Sequence, residues 1–143
     1  MTPTATRRTR LTDQRVASIM SRPAIAVREY ATLSDALTAF AASGLRHLVV
    51  VDSAGRCLGM LSDRLVAGAW AADPACFDDV HVTALLEPDQ PMIVSTATIG
   101  QAAQVMHRLG TDAVVLVDAV AEPVGVLTAA DLIGLLAKPS RDG

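Results

Sequence analysis

Side chains with reactive chemistry are few in this sequence of 143 residues, and their spacing does not build a catalytic centre. The three histidines, His47, His81 and His107, are scattered, and neither they nor Cys57 and Cys76 have the spacing of metal ligands. Carboxylates are present, but none are spaced as a pair for acid–base work. The sequence contains no glycine-rich phosphate loop, no Ser-His-Asp arrangement and no nucleophile elbow. We therefore predict a protein that is not an enzyme and requires no cofactor.

Basic residues gather near the start of the chain, at Arg7, Arg8, Arg10 and Arg15. The formal net charge is nevertheless −3, which gives no general attraction for polyanions. Aromatic residues make up only 3% of the chain, which leaves little to stack on bases. We interpret the arginines as a solubilising tail, with a DNA-binding arm as the alternative, and expect no nucleic-acid partner.

Hydropathy and cysteine content indicate a cellular location. The sequence has no uninterrupted apolar run of about 18 residues, and its N-terminus lacks the order of a secretory signal. Two cysteines in such a chain are typical of reduced thiols. These features predict a cytoplasmic protein without a membrane association.

The sequence repeats itself at a constant offset of 66 residues, as Thr32 and Thr98 illustrate. The matching segments are 32–36 with 98–102, 47–52 with 113–118, and 59–62 with 125–128. A half of this length is marginal as an independent domain, so the two copies should share a core.

Both copies predict the order strand, helix, strand, strand, helix. Thr32 with Asp35, and Thr98 with Gln101, have the spacing of a capping box at the start of the first helix. The predicted strands are 24–27, 48–51 and 57–61, then 92–94, 114–117 and 124–127. The last helices are predicted at 63 to about 71 and 129 to about 136, with short helices near 13–20 and 82–86. The predicted buried stripes are Leu33, Ala36, Leu37 and Phe40, and Ile99, Ala102, Ala103 and Met106.

These elements predict an α/β (α+β) fold of two pseudo-symmetric β-α-β-β-α repeats, with small mixed sheets packed together and helices outside. The predicted parts are a flexible basic N-terminus at 1–12, repeat 1 at 13–72, a linker at 73–80, repeat 2 at 81–137 and a C-terminal tail at 138–143.

The pattern resembles a pair of cystathionine-β-synthase (CBS) domains, the Bateman module, over residues 17–136. The resemblance rests on the apolar strands that end at Asp52 and Asp118 and on the signature Gly-h-h-Ser/Thr-x-x-Asp. Repeat 2 fulfils this signature from Gly125 to Asp131, whereas repeat 1 has Leu65 in place of the aspartate. The resemblance implies a stand-alone regulatory module that binds AMP, ADP, ATP or S-adenosylmethionine in a cleft between the repeats. It also implies signalling through a homodimer or an unknown protein partner. A ligand-free structural interaction module is the alternative.

The resemblance also assigns roles to residues. Asp131, with Thr128, would hold the ribose, because a carboxylate offers two acceptor oxygens to a vicinal diol. The same spacing also fits a capping box, which is the structural alternative. The residues implied for the base-binding wall are Ala26, Val27, Tyr30, Leu45 and His47, and those for phosphate or a second cleft are Arg28, Arg46, Ser62 and Arg64.

The two implied clefts are unequal. The position before the central strand carries Arg46 and His47 in repeat 1 but Asp112 and Ala113 in repeat 2. The cleft with Asp131 therefore lacks its usual phosphate cations, while the other cleft lacks the aspartate. One degraded site and two incomplete ones are both consistent with this pattern.

Overall fold

The computed structural model describes residues 12–16 and 25–137. The predictions for Arg7, Arg8 and Arg10, for Ala24 and for the tail 138–143 fall outside these residues. Two three-stranded sheets are present in the described part, with strand orders β1-β2-β3 and β4-β5-β6. The strands are β1 (Ala26–Arg28), β2 (His47–Val51), β3 (Cys57–Ser62), β4 (Met92–Val94), β5 (Ala113–Val117) and β6 (Pro123–Thr128). The α-helices are α1 (Leu33–Ser43), α2 (Asp63–Ala72), α3 (Ile99–Leu109) and α4 (Ala129–Ala137).

Each first strand lies parallel to the central strand of its sheet. Val27 pairs with Val50 in one sheet, and Ile93 pairs with Leu116 in the other. β3 returns antiparallel to β2. The central strands β2 and β5 are almost entirely buried, which explains why each is a continuous apolar run. The predicted α+β architecture is thereby confirmed.

The first helix of each copy begins where the sequence predicts it. Thr32 and Thr98 form complete capping boxes with Asp35 and Gln101, and a glycine in the left-handed conformation follows each helix. Two residues of the predicted stripes are not buried. Leu37 is 51% exposed, because α1 buries only Leu33, Ala36 and Phe40. Ala103 is half-buried, because α3 buries only Ile99, Ala102 and Met106.

The chain divides into two compact units, which we call the repeat-1 unit and the repeat-2 unit. The repeat-1 unit comprises residues 25–90 with Ala119–Pro123, and the repeat-2 unit comprises 12–16, Pro91–Asp118 and 124–137. The short segments that precede each repeat are therefore exchanged. Val16 is buried against Ile99 in the core of the repeat-2 unit, and Val82 is buried in the core of the repeat-1 unit.

The connection between the repeats is part of the repeat-1 core. Phe77 is only 6% exposed, its carbonyl oxygen accepts from Ser34 N–H, and Asp78 accepts from the Ser34 hydroxyl at 2.6 Å. Short 3-10 helices lie at Pro74–Cys76 and Val82–Leu85, the second where the sequence predicts a short helix.

Candidate functional site

Thr128 and Asp131 meet at the start of α4. The Asp131 N–H donates to Thr128 Oγ1 at 3.1 Å, and the Thr128 N–H donates to Asp131 Oδ2 at 3.1 Å. This is the reciprocal geometry of a capping box, so Thr128 and Asp131 cap α4, as the structural alternative to a ligand role predicts. The Asp131 side chain is exposed, and among the described residues its Oδ1 atom makes no hydrogen bond. The cap therefore fixes the carboxylate while leaving one acceptor oxygen for another group.

The same box occurs at α1, where the Asp35 carboxylate accepts from Thr32 N–H at 2.9 Å. Capping geometry is thus not in itself a sign of ligand binding. The resemblance proposes no ligand at Asp35, so Asp35 and Asp131 form a matched pair of capping carboxylates.

Ser62 and Leu65 occupy the corresponding place in repeat 1. The Ser62 hydroxyl accepts from Leu65 N–H at 3.1 Å, but the apolar Leu65 side chain returns no bond and is 38% exposed. Half of the capping box remains, and the carboxylate is replaced by an apolar surface.

Basic side chains gather beside Ser62. His47 on β2 faces Ser62 on β3. The carbonyl oxygen of Arg46 accepts a hydrogen bond from the Asp63 N–H at 2.9 Å. The Arg46 Nε atom lies 3.8 Å from Asp63 Oδ2, and both side chains are solvent-exposed. Such a surface pair contributes at most about 1 kcal/mol, so it would not prevent Arg46 from meeting an anion. With the exposed Arg64, these residues form the basic end of the repeat-1 unit.

Arg28 and Tyr30 are not part of that basic end. Arg28 pairs with Val51 at the far end of β2 from His47, about 13 Å away along the strand. The Tyr30 side chain is 71% exposed and lies edge-on to the His81 ring at 6.0 Å. The pKa of the Tyr30 hydroxyl is raised from its ordinary value by the hydrogen bond with Glu29 and by the negative charge of that carboxylate. The structure thus separates Arg28 from the other three residues of the predicted phosphate set.

The remaining residues of the predicted base wall lie at or near the start of the strands. Ala26 pairs with Val49 and is exposed, while Val27, Leu45 and His47 are half-buried. All belong to the repeat-1 unit, whereas Thr128 and Asp131 belong to the repeat-2 unit. The pairing of this wall with Asp131 stays a prediction.

Gln90 contacts the signature segment of repeat 1, which the sequence did not indicate. Its Oε1 atom accepts from Met60 N–H at 2.9 Å, and its Nε2 atom donates to the Glu87 carbonyl oxygen at 2.8 Å. The side chain lies directly on Gly59, where an added Cβ would come within 2.7 Å of Gln90 Cγ. The only sequence signal was Gly59, since a glycine inside a strand often marks a close approach.

The repeat-2 unit carries a surface depression of about 470 Å³ beside β4 and α3. Its lining is mainly apolar, with polar groups from α3. The lining residues are Ile93, Val94, Ala97, Gln101, Gln104, Val105 and Arg108. None of them belongs to the predicted site.

No group of three or more histidine, cysteine or acidic side chains that could hold a metal ion is found in residues 12–16 and 25–137. Cys57 and Cys76 are both free thiols. Burial raises the pKa of the Cys57 thiol, and a smaller opposing effect comes from a backbone hydrogen bond with Gly59. Over the same residues, no helix combines the length and the apolar character that crossing a bilayer requires.

A family model described as CBS domain matches the chain twice, at residues 16–71 and 82–138, which together cover most of its length. A curated relative, the uncharacterized protein MJ1404 of Methanocaldococcus jannaschii, is 29% identical over 130 residues. The match covers 91% of this chain but 30% of the relative, so this chain spans about a third of that protein.

Solved structures show the same fold. The CBS domain pair of protein MJ0100 in complex with 5′-methylthioadenosine and S-adenosyl-L-methionine has a TM-score of 0.75 and 20% identity, over 85% of this chain and 94% of that one. The CBS domain protein PAE2072 from Pyrobaculum aerophilum, complexed with AMP, has a TM-score of 0.73 and 25% identity, over 82% of this chain and 89% of that one.

Proposed function

Since the chain belongs to the family of CBS-domain proteins and carries two repeats, we propose that it is a regulatory module that binds an adenosine-containing ligand such as AMP, ADP, ATP or S-adenosylmethionine. The observation that carries this proposal is the Asp131 carboxylate, whose Oδ2 atom is held by Thr128 N–H while Oδ1 is available. A fixed carboxylate can accept hydrogen bonds from the two hydroxyls of a ribose. The AMP and S-adenosylmethionine complexes of the similar structures support the ligand class.

The base-binding part of this proposal uses Ala26, Val27, Leu45 and His47. Strand-end backbone groups can read the edge of a base, and apolar side chains can cover its faces. Tyr30 is a weaker member of this wall, because its ring contacts His81 instead. Arg46 and Arg64 provide cations for phosphates at the basic end of the repeat-1 unit, in the cleft that lacks the aspartate, whereas Arg28 lies elsewhere on the sheet.

The experiment is a thermal-shift series with AMP, ADP, ATP, S-adenosylmethionine and NAD. A ligand that binds only the folded state stabilises it by RT ln(1 + [L]/Kd), about 2.7 kcal/mol at a hundredfold excess over Kd. We expect a concentration-dependent rise in Tm for at least one adenosine compound. The absence of a rise for every compound at millimolar concentration would contradict the proposal.

We further propose that the signal leaves through a homodimer or a protein partner. Two large apolar side chains of the repeat-1 unit are exposed, Leu37 on α1 by 51% and Trp70 on α2 by 55%, and they could take part in an apolar contact with another chain. This surface also favours the second candidate function, an interaction module that works without a ligand. Sedimentation with and without AMP separates the two. A dimer that responds to AMP supports the sensor, and an unchanged dimer without any nucleotide binding supports the second function.

A further inference from the structure

Met60 presents a main-chain donor at the open edge of its sheet. β3 is an edge strand, and Met60 faces Val49 across the ladder. The Val49 N–H donates to Ile25 on the β1 side, so in an antiparallel ladder the Met60 N–H points away from β2. An unpaired N–H at such an edge calls for an acceptor, and Gln90 Oε1 provides it at 2.9 Å.

The Glu87 carbonyl oxygen completes a donor–acceptor pair with the Met60 N–H. One carboxamide satisfies both groups, since Gln90 Oε1 accepts from Met60 and Gln90 Nε2 donates to Glu87 at 2.8 Å. The two backbone groups also fix which end of the amide is the oxygen. A planar group with an acceptor next to an amino donor is therefore the shape and polarity that this pair selects.

Adenine carries the same pattern. At its outer edge a ring nitrogen accepts a hydrogen bond next to the N6 amino group, which donates one. A glutamine carboxamide also has an acceptor next to a donor, which is why it pairs with adenine through two hydrogen bonds. The surface under Gln90 suits a flat ring as well, because Gly59 has no side chain and the carboxamide lies directly on it.

We propose that Gln90 is a built-in occupant of an adenine-reading position in the repeat-1 unit, and that it keeps a second adenosine site closed. The inference rests on the proposed function for the ligand class only. It accounts for an inequality between the repeats: the unit that Gln90 closes is the one with Leu65 in place of the ribose-binding aspartate. A site that its own chain occupies has no need of that carboxylate.

Isothermal titration with adenosine tests this on four proteins: wild type, Asp131→Ala, Gln90→Ala and the double variant. We expect the double variant to bind one equivalent of adenosine at least about tenfold more tightly than Asp131→Ala alone. Inosine carries an oxygen acceptor where adenosine carries the amino donor, so it should bind the opened site at least about tenfold more weakly.

Two further variants control for space and folding. Gln90→Leu fills the volume over Gly59 without the donor and acceptor, and should leave the site closed. Gln104→Ala removes an exposed glutamine from α3 and should leave adenosine binding as in wild type. Thermal melts establish that each variant is folded before the titration is interpreted.

The outcomes separate the two proposals. A folded double variant that binds no adenosine, or that binds adenosine and inosine equally, overturns the role of Gln90 while leaving the Asp131 site standing. Conversely, wild type without any adenosine binding and a Gln90→Ala variant that gains it would overturn the proposal for Asp131 and support the one for Gln90.

Discussion

The Arg15 guanidinium donates a hydrogen bond of 2.6 Å to the main-chain carbonyl oxygen of Thr96. Sixty-six residues further on, the His81 ring makes the equivalent bond to the Tyr30 carbonyl oxygen at 2.7 Å, with Nδ1 as the donor because a carbonyl only accepts. Bridges between Arg15 and Thr98 and between His81 and Thr32 complete the correspondence. The segment before each repeat therefore makes equivalent contacts, and each segment packs in the unit that is formed mainly by the other repeat.

The exchanged segment gives a first prediction. Val16 is fully buried in the repeat-2 unit, so Val16→Ala should destabilise it by about 2 kcal/mol through lost burial and a small cavity. Hydrogen exchange should show the loss of protection in α3, whereas the counterpart Val82→Ala should weaken α1. If Val16→Ala weakened α1 instead, the assignment of the segment would be wrong.

A second prediction concerns two turns that adopt one conformation with different residues. Ala121 has φ 65° and Gly55, its counterpart in repeat 1, has φ 85°. A side chain strains this left-handed conformation by about 1 kcal/mol. Ala121→Gly should therefore raise the free energy of unfolding by several tenths of a kcal/mol to about 1 kcal/mol, and Gly55→Ala should lower it by a similar amount. Denaturant titration measures the free energy of unfolding of both variants. A change of the same sign in both variants would contradict this prediction.

Asp52 gives a prediction about acid. Its carboxylate accepts from Arg56 N–H, from Ala54 N–H and from Arg56 Nε at 2.9 to 3.1 Å. The hydrogen bond from the Arg56 backbone is the main reason that the pKa of Asp52 lies below its ordinary value. A carboxyl whose pKa is lower in the folded state stabilises the fold above its unfolded pKa, and this stabilisation disappears as pH falls through the folded pKa.

Asp52→Asn should accordingly reduce stability at pH 7, and its difference from wild type should shrink as pH falls below about 4. Denaturant midpoints from pH 2.5 to 7 measure this, with Asp79→Asn as a control for the loss of one exposed negative charge. A difference that stays constant over the whole range would contradict the role of Asp52.

The two thiols should react at different rates. Cys57 is 8% exposed and burial raises its pKa, so it holds little thiolate, whereas Cys76 is partly exposed. With an aromatic disulfide reagent at pH 8, one thiol should react readily and the second only on unfolding, and Cys76→Ser should remove the fast phase. A fast phase that persists in Cys76→Ser would show that the edge of β3 opens.

Much of the fold follows from local patterns in the sequence. The capping boxes at Thr32 and Thr98 and the apolar runs of β2 and β5 depend on neighbouring residues, so they mark the elements directly. The offset of 66 residues then shows that there are two copies. Leu37 was misplaced because a helical stripe has no sharp border, and which side chains it buries depends on what packs beside it.

Tertiary contacts at the candidate site could not be predicted in the same way. Gln90 meets Met60 across 30 residues of sequence, and the position that corresponds to it in repeat 1 is Ala24, so the repeat gave no signal. Arg28 was grouped with Arg46 by charge, but the register of β1 on β2 separates them. The Thr128–Asp131 spacing was recognised, although the capping and ligand roles predict the same geometry.

The most direct test of the central claim compares two capping carboxylates by titration with AMP. Asp35→Ala and Asp131→Ala each remove the acidic half of a capping box, at a cost of about 1 kcal/mol of stability. We predict that Asp35→Ala binds the ligand as wild type does, whereas Asp131→Ala loses at least about tenfold in affinity, since hydrogen bonds to a charged acceptor contribute about 1.5–3 kcal/mol. Equal affinity of the two variants would show that Asp131 only caps α4.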